Sequence, residues 1–295
     1  MTDGIIIKAL SGFYYVETAE GILECKARGR FRLDGTSPLV GDRVSCSLDT
    51  NGKGRIDKVE KRKNFFIRPA VANVDALVFV AANTNPVTDP FLIDRVSVIA
   101  ESAGCELIIC INKTDIDGAD ELYSIFTAVG YTVVRTSAET GDGIDALRAT
   151  IDGKICAFTG NSGVGKSSIM NMLLPGVNIK TAEVSEKLGR GKHTTRHVEL
   201  FDLGRGTYAA DTPGFASFDI EMMEVIPKEQ LQYDFIEFAP YIGGCRFNDC
   251  AHLREPGCAV TQALADGKIM PSRYRSYERL YELSAQHKSW EIKEN

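Results

Sequence analysis

Over roughly the first 64 residues, apolar and polar positions alternate in short runs: Ile5–Leu10, Phe13–Thr18, Ile22–Arg28, Arg43–Leu48 and Gly54–Lys61. Turn-forming residues separate them, at Gly12, Gly21, Asp34-Gly35, Gly41-Asp42 and Asn51-Gly52. Alternation with period two, punctuated this way, predicts five short strands and a small β-barrel. An OB-fold is the natural candidate, and such barrels often bind oligonucleotides. A barrel with a structural role only is the alternative.

The pattern changes from about Val74. Solid apolar runs now alternate with helical stretches: Ala76–Ala82 then Pro90–Ala103, Glu106–Ile111 then Ala119–Val129, Thr132–Arg135 then Ile144–Ile151, and Ile155–Thr159 then Gly165–Leu174. A further strand is expected over Gly206–Ala210. Apolar strands joined by helices predict a parallel α/β sheet. After Gly214 the chain is irregular, then helical over Pro271–His287. The expected architecture is multi-domain: a β-barrel (1–66), an α/β domain (67–222) and a mainly helical domain (223–295).

Composition changes this picture little. Hydrophobic residues make up 44% and charged residues 25% of 295 residues, enough apolar material for a sizeable core. No apolar run approaches the ~18 residues that span a bilayer. The N-terminus lacks a basic region followed by a long apolar one, so the expected address is the cytoplasm, with no membrane partner. Net charge is −6, yet residues 1–68 carry 13 Lys and Arg against 9 Asp and Glu. The basic segment is therefore the barrel. It is either a phosphate-facing surface or an ordinary solvated one.

The chemistry lies in short motifs. Gly160-Asn161-Ser162-Gly163-Val164-Gly165-Lys166-Ser167 matches G-x-x-x-x-G-K-[ST] after a strand and before a helix. Its candidate nucleotide-binding set is Asn161, Ser162, Gly163, Val164, Gly165, Lys166, Ser167 and Ser168. Backbone N–H groups would wrap the phosphates at a helix N-terminus. Lys166 would reach the β- and γ-phosphates and Ser167 would ligate Mg²⁺. Asp211-Thr212-Pro213-Gly214 fits D-x-x-G, with Asp211 on the metal through water and Gly214 on the γ-phosphate.

Asn112-Lys113-Thr114-Asp115 fits N-K-x-D, the guanine reader. Asp115 can accept from guanine N1–H and its 2-amino group, whereas adenine offers an acceptor at N1 and no such amino group. Mismatches of this kind discriminate by roughly 10⁴. Lys113 would pack along the base. Thr136-Ser137-Ala138 fits the loop that meets guanine O6, with Ser137 and Ala138 as contacts. Between the phosphate loop and Asp211, the stretch Gly189-Arg190-Gly191-Lys192-His193-Thr194-Thr195-Arg196 reads as a mobile loop. Thr194 or Thr195 can complete the Mg²⁺ shell, with Thr195 favoured. A linker with ordinary threonines is the alternative.

The order is permuted. Ras-like enzymes place the phosphate loop first and the guanine reader last; here the guanine reader comes first. A parallel sheet tolerates that if old termini are joined and a new break opens on the surface. The segment after Gly214 is thereby wired into the C-terminal domain.

Cys245-x₄-Cys250-x-His252-x₅-Cys258 supplies three thiols and an imidazole, an established structural zinc set. A cluster of free thiols is the alternative. The other five cysteines sit mostly in apolar strand-like segments and read as small hydrophobes.

Taken together, the permuted order, the G-N-S-G-V-G-K-S loop, G-R-G-K-H-T-T-R, D-T-P-G-F and C-x₄-C-x-H-x₅-C resemble the RsgA (YjeQ) family over essentially the full length. The resemblance implies an OB-fold, a circularly permuted GTPase and a zinc domain. It implies a bacterial factor of late assembly that binds the small ribosomal subunit and its rRNA and hydrolyses GTP to GDP there; a monomer is the expected state of such a ribosome-binding factor. Ras-like enzymes orient the attacking water with a glutamine directly after the D-x-x-G glycine; this chain has Phe215. In the resembling family a histidine placed like His193 takes that role, so His193 is the catalytic candidate. Two other readings stay open: a nucleotide-gated RNA-binding module with negligible turnover, and a GTPase of another RNA or protein complex.

Overall fold

The structure, a computed structural model, describes residues 1–29, 31, 37–49, 53–67, 70–174, 198–211 and 226–286. Strands β1 (Thr2–Leu10), β2 (Phe13–Thr18), β3 (Gly21–Ala27), β4 (Arg43–Leu48) and β5 (Gly54–Val59) form a closed barrel. Its order is β1-β2-β3-β5-β4 and back to β1, with β3–β5 parallel and every other pair antiparallel. This is the five-stranded barrel expected from the alternation. Ile6, Val16, Cys25, Val44, Cys46 and Ile56 fill its interior.

A short hairpin, β6 (Phe65–Ile67) and β7 (Ala70–Ala72), leads into the second sheet. There the chain runs β8 (Ala76–Ala82), α1 (Pro90–Ser102), β9 (Glu106–Asn112), α2 (Asp120–Val129), β10 (Thr132–Arg135), α3 (Ile144–Ile151), β11 (Ile155–Thr159), α4 (Lys166–Leu173), β12 (Glu199–Gly204) and β13 (Thr207–Asp211). Strand order is β10-β9-β8-β11-β13-β12, all parallel except β12. Chain direction across the sheet reverses between β8 and β11. Crevices for ligands open at such switch points, outside the carboxyl ends of the strands.

Both faces of the sheet are covered at its centre, which is why β8 and β11 are buried at every position and β9 at all but its first. Leu77, Phe79, Ala81, Leu107, Ile109 and Ile111 share a core with α1 and α2. Their alternates Val78, Val80, Ala82, Ile108 and Cys110 pack with α3 and α4. Helix α1 begins where Asp89 caps the Phe91 N–H at 3.0 Å and Pro90 follows.

Strand β12 and the β6–β7 hairpin were not expected from the sequence. β12 turns back along β13 and presents its outer edge to β1, pairing Lys8 with Glu199. It joins the barrel and the parallel sheet into one continuous hydrogen-bonded sheet. Tyr208 on β13 also donates to Glu17 of the barrel.

The C-terminal part is a turn of helix α5 (Leu231–Asp234), a 3₁₀ turn (Ile236–Phe238), α6 (Ala259–Ala265) and α7 (Pro271–Gln286). Phe235, Phe238, Tyr274 and Tyr277 stack into its core. It is fastened to α1 by Arg273, whose side chain has no exposure to solvent. Nη1 donates to Asp94 at 2.8 Å and to Ser97 at 3.0 Å. Nε and Nη2 donate to Glu237 at 2.7 and 3.0 Å. Burial opposes the charge, and the two carboxylates outweigh it, so Arg273 stays protonated. No described helix is long and apolar enough to cross a membrane.

Replacing Arg273 by Met leaves Asp94 and Glu237 buried together without their cation. The expected cost is about 3–5 kcal/mol, read as a fall in the denaturant midpoint by circular dichroism. A loss under ~1 kcal/mol, the level of an exposed ion pair, would contradict this role.

Candidate nucleotide site and metal centre

Strand β11 delivers the chain to Gly160, whose φ is +135° and where a Cβ would lie 2.2 Å from the Val80 carbonyl. Only glycine lets the loop leave its strand so close to β8. The loop rises through exposed Ser162 and Gly163, is pinned by fully buried Val164, and enters α4 at Lys166. Gly165 (φ +97°) has no room for a Cβ, which would lie 2.2 Å from Asn112 Nδ2. Lys166 Nζ reaches back to the Gly160 carbonyl at 2.8 Å, spanning the loop from its helical end. Ser167 and Ser168 follow in the first turn of α4.

Asn112 sits at the end of β9, 2% exposed. Its Nδ2 donates to the Val164 carbonyl at 2.9 Å, and its Oδ1 accepts from the Ala138 N–H at 3.0 Å. One side chain thus ties the guanine-reader strand to the phosphate loop on one side and the Thr136-Ser137-Ala138 loop on the other. Thr114 reinforces the second tie, with its N–H and hydroxyl both on the Thr136 carbonyl at 3.1 and 2.9 Å. Buried Ser137 donates to Asp115 Oδ1 at 2.6 Å and accepts from the N–H groups of Glu139 and Thr140. Asp115 itself is exposed, open to a base. Lys113 takes a left-handed backbone (φ 65°), and its ammonium donates to the Asn85 carbonyl.

The structure therefore brings Asn112, Lys113, Asp115, Ser137, Ala138 and the loop 160–168 to the carboxyl edge of β9, β10 and β11. Asp211 ends β13, the neighbour of β11, at the same edge. Thr194, Thr195, His193, Gly214 and Phe215 lie outside the described residues. Thr114, Thr136 and Asn85 were not singled out from sequence. The threonines carry a local signal, since each flanks a motif position.

The four ligand atoms of Cys245, Cys250, His252 and Cys258 lie within 4.8 Å of one another. Cys245 Sγ is 3.9 Å from Cys258 Sγ and 3.4 Å from His252 Nδ1; Cys258 Sγ is 3.5 Å from the same nitrogen. Tetrahedral zinc, with Zn–S near 2.3 Å and Zn–N near 2.0 Å, spaces its ligands roughly 3.5–3.8 Å apart. The donor set fits one zinc ion. Backbone N–H groups of Ala259 and Thr261 point at Cys245 and Cys258 sulfurs, which favours thiolates. Burial lowers the His252 pKa and favours the neutral ring that a metal requires. Tyr274 and Tyr277 hold the ligand loop through the carbonyls of Ala251, His252 and Leu253. The other five cysteines are buried singly or in the barrel core, as expected. Burial pushes the Cys110 and Cys156 thiols up to about 12, leaving them inert.

On the barrel, a groove of ≈ 410 Å³ is lined by Phe13, Tyr14, Lys26, Arg28 and Phe31 among others. Lys26 Nζ stands 4.8 Å from the Phe13 ring centroid. Cations beside aromatic faces are what single-stranded nucleic acid binds.

The model of the RsgA GTPase family matches residues 59–221, and that of the RsgA N-terminal domain matches residues 3–56. The chain belongs to the RsgA GTPase family. A Small ribosomal subunit biogenesis GTPase RsgA from Caldanaerobacter subterraneus subsp. tengcongensis is 46% identical over 93% of each chain. One from Bacillus cereus is 43% identical over 96% of this chain and 97% of its own. Among solved structures, YjeQ from Thermotoga maritima superposes with a TM-score of 0.83 at 35% identity, covering 97% of this chain and 99% of the other. YloQ, described as a circularly permuted GTPase, gives 0.81 at 33% identity over 98% and 96%. This RsgA-family chain is a GTPase, and its permuted strand order is that of the family. GTPases act on Mg²⁺-bound GTP, and the glycine cradle with Ser167 beside it suits such a ligand.

Asn112→Ala in this RsgA-family protein deletes a donor and an acceptor at once, leaving the buried Val164 carbonyl and the half-buried Ala138 N–H unpaired. Each such group costs about 1–3 kcal/mol. The dissociation constant for GDP, measured by calorimetry, is expected to rise about 10–100-fold. A change under ~3-fold, below 1 kcal/mol, would show that the tie does not organise the site.

Proposed function

We propose that this protein is a late assembly factor of the bacterial small ribosomal subunit, acting in the cytoplasm as a monomer, whose GTP hydrolysis the subunit stimulates. The nucleotide half of this reading is carried by the Asn112 tie, which holds guanine reader and phosphate loop in one register. Lys166 and the loop N–H groups bind phosphate, and Ser167 and Thr195 ligate Mg²⁺. Asp211 holds the metal through water, Gly214 meets the γ-phosphate, and Asp115, Lys113, Ser137 and Ala138 read guanine. The ribosomal half is supported by the relatives, which are named for small-subunit biogenesis over nearly their full length. The aromatic and basic barrel groove suits rRNA, and the zinc domain is the second grip. The units divide near residues 66/67 and 222/223.

Turnover needs a group to orient water, and Phe215 cannot do so. His193 takes that task when the bound subunit arranges its loop, so the free protein is slow. GTP and GDP forms also differ in subunit affinity, because a ligand shifts only equilibria in which it binds the states unequally.

Steady-state hydrolysis with purified small or large subunits tests this. Small subunits alone are expected to raise turnover by about 10²-fold or more, and His193→Ala to remove about 10²-fold of the stimulated rate. A His193→Ala protein with full stimulated turnover would remove that residue from the mechanism. Absence of stimulation by either subunit would instead favour a nucleotide-gated RNA-binding module.

A further inference from the structure

A metal on His252 needs a bare nitrogen facing the sulfurs and a proton on the other. Nδ1 is the nitrogen that faces Cys245 and Cys258. Nε2 points away and lies 2.9 Å from Oε1 of Gln232, twenty residues earlier in the chain. The orientation of the Gln232 amide is set independently, because its Nε2 donates to the Glu229 carbonyl at 3.1 Å. The atom presented to His252 is therefore an oxygen. An amide oxygen only accepts, so His252 Nε2 carries the proton and Nδ1 keeps its lone pair.

We propose that Gln232 is the positioning residue of the metal centre: it fixes the tautomer and ring plane of His252 and ties α5 to the ligand loop. This rests on the zinc reading of the four-residue cluster. Gln232 belongs to none of the ligand-bearing turns. It stands on the short segment that enters the C-terminal domain, the same segment that supplies Phe235 and Glu237 to the Arg273 clamp. Metal and clamp thus hold two ends of one seven-residue stretch, Leu231 to Glu237.

The test is zinc affinity of the full chain by chelator competition, for the unmodified protein, Gln232→Met and Gln232→Glu. Met keeps the length and offers only a weak thioether acceptor; Glu keeps a strong acceptor facing Nε2. Gln232→Met is expected to bind zinc about 10–100-fold more weakly, the usual effect of losing an outer-shell partner, while Gln232→Glu stays closer to the unmodified chain. GDP affinity, read alongside, is expected to be unchanged in both, which separates positioning from unfolding. Equal zinc affinity in all three proteins, or equal loss in both variants, would overturn the proposal while leaving the metal reading intact. An unmodified chain that holds no zinc would overturn both. Should Gln232→Met fail to fold, nitrogen-15 spectra of the unmodified zinc protein decide: a proton on Nε2 and metal on Nδ1 support the proposal, and the reverse refutes it.

Discussion

Everything at the nucleotide edge depends on a single carboxamide. Asn112 is the last residue of β9, and its side chain lies under the nucleotide edge with no route to water. Both of its polar ends are used, one on the phosphate loop and one on the loop after β10. Neither loop is a neighbour in sequence: the partners lie 52 and 26 residues away. A buried amide with fixed donors and acceptors tolerates only one relative placement of the three segments. It therefore holds the distance between the groups that would meet phosphate and those that would meet base. Gly165 is part of the same constraint, since any side chain there would occupy the space of the Asn112 amide.

Permutation changes what this edge is wired to rather than the edge itself. The sheet is held by strand pairing, which is indifferent to where the chain starts. The new connections run outward. β12 carries the barrel on its free edge through β1, and the fully buried Arg273 bolts the C-terminal domain to α1. The barrel thus leans on the hairpin that ends in Asp211, and the C-terminal domain leans on the helix that follows β8. A change at either flank has a short path to the nucleotide edge, through hydrogen-bonded strands on one side and a buried ion-pair network on the other. The half-buried Lys8–Glu199 pair adds little to this by itself; the strand edge beneath it does the joining.

The core strands were legible because both faces of a parallel sheet are buried, so β8, β9 and β11 are apolar without interruption. The barrel strands were legible from alternation between turn residues. β12 was not: Glu199-Leu200-Phe201-Asp202-Leu203-Gly204 is short, mixed in polarity and sits beside a basic Gly-rich stretch. What makes it a strand is its two partners, β13 and β1, and neither is local. The motif residues could be placed on strand ends because their spacing from apolar runs is short. The Arg273 clamp and Gln232 could not. An arginine amid polar helix positions and a glutamine in a turn look like solvated surface, and only the fold shows that one is buried and the other faces His252.

The tied edge is proposed to read guanine through Asp115. The most direct measurement compares the affinities of GDP, ADP and xanthosine diphosphate for the unmodified protein and for Asp115→Asn. Guanine offers two donors to the carboxylate, whereas xanthine has a carbonyl where guanine has its amino group. An asparagine can donate to that carbonyl and accept from N1–H. The unmodified protein is expected to prefer GDP over both others, by roughly 10⁴ against ADP, and Asp115→Asn to prefer xanthosine diphosphate. An unmodified protein that binds GDP and ADP alike, or a variant that keeps its preference for GDP, would contradict this reading.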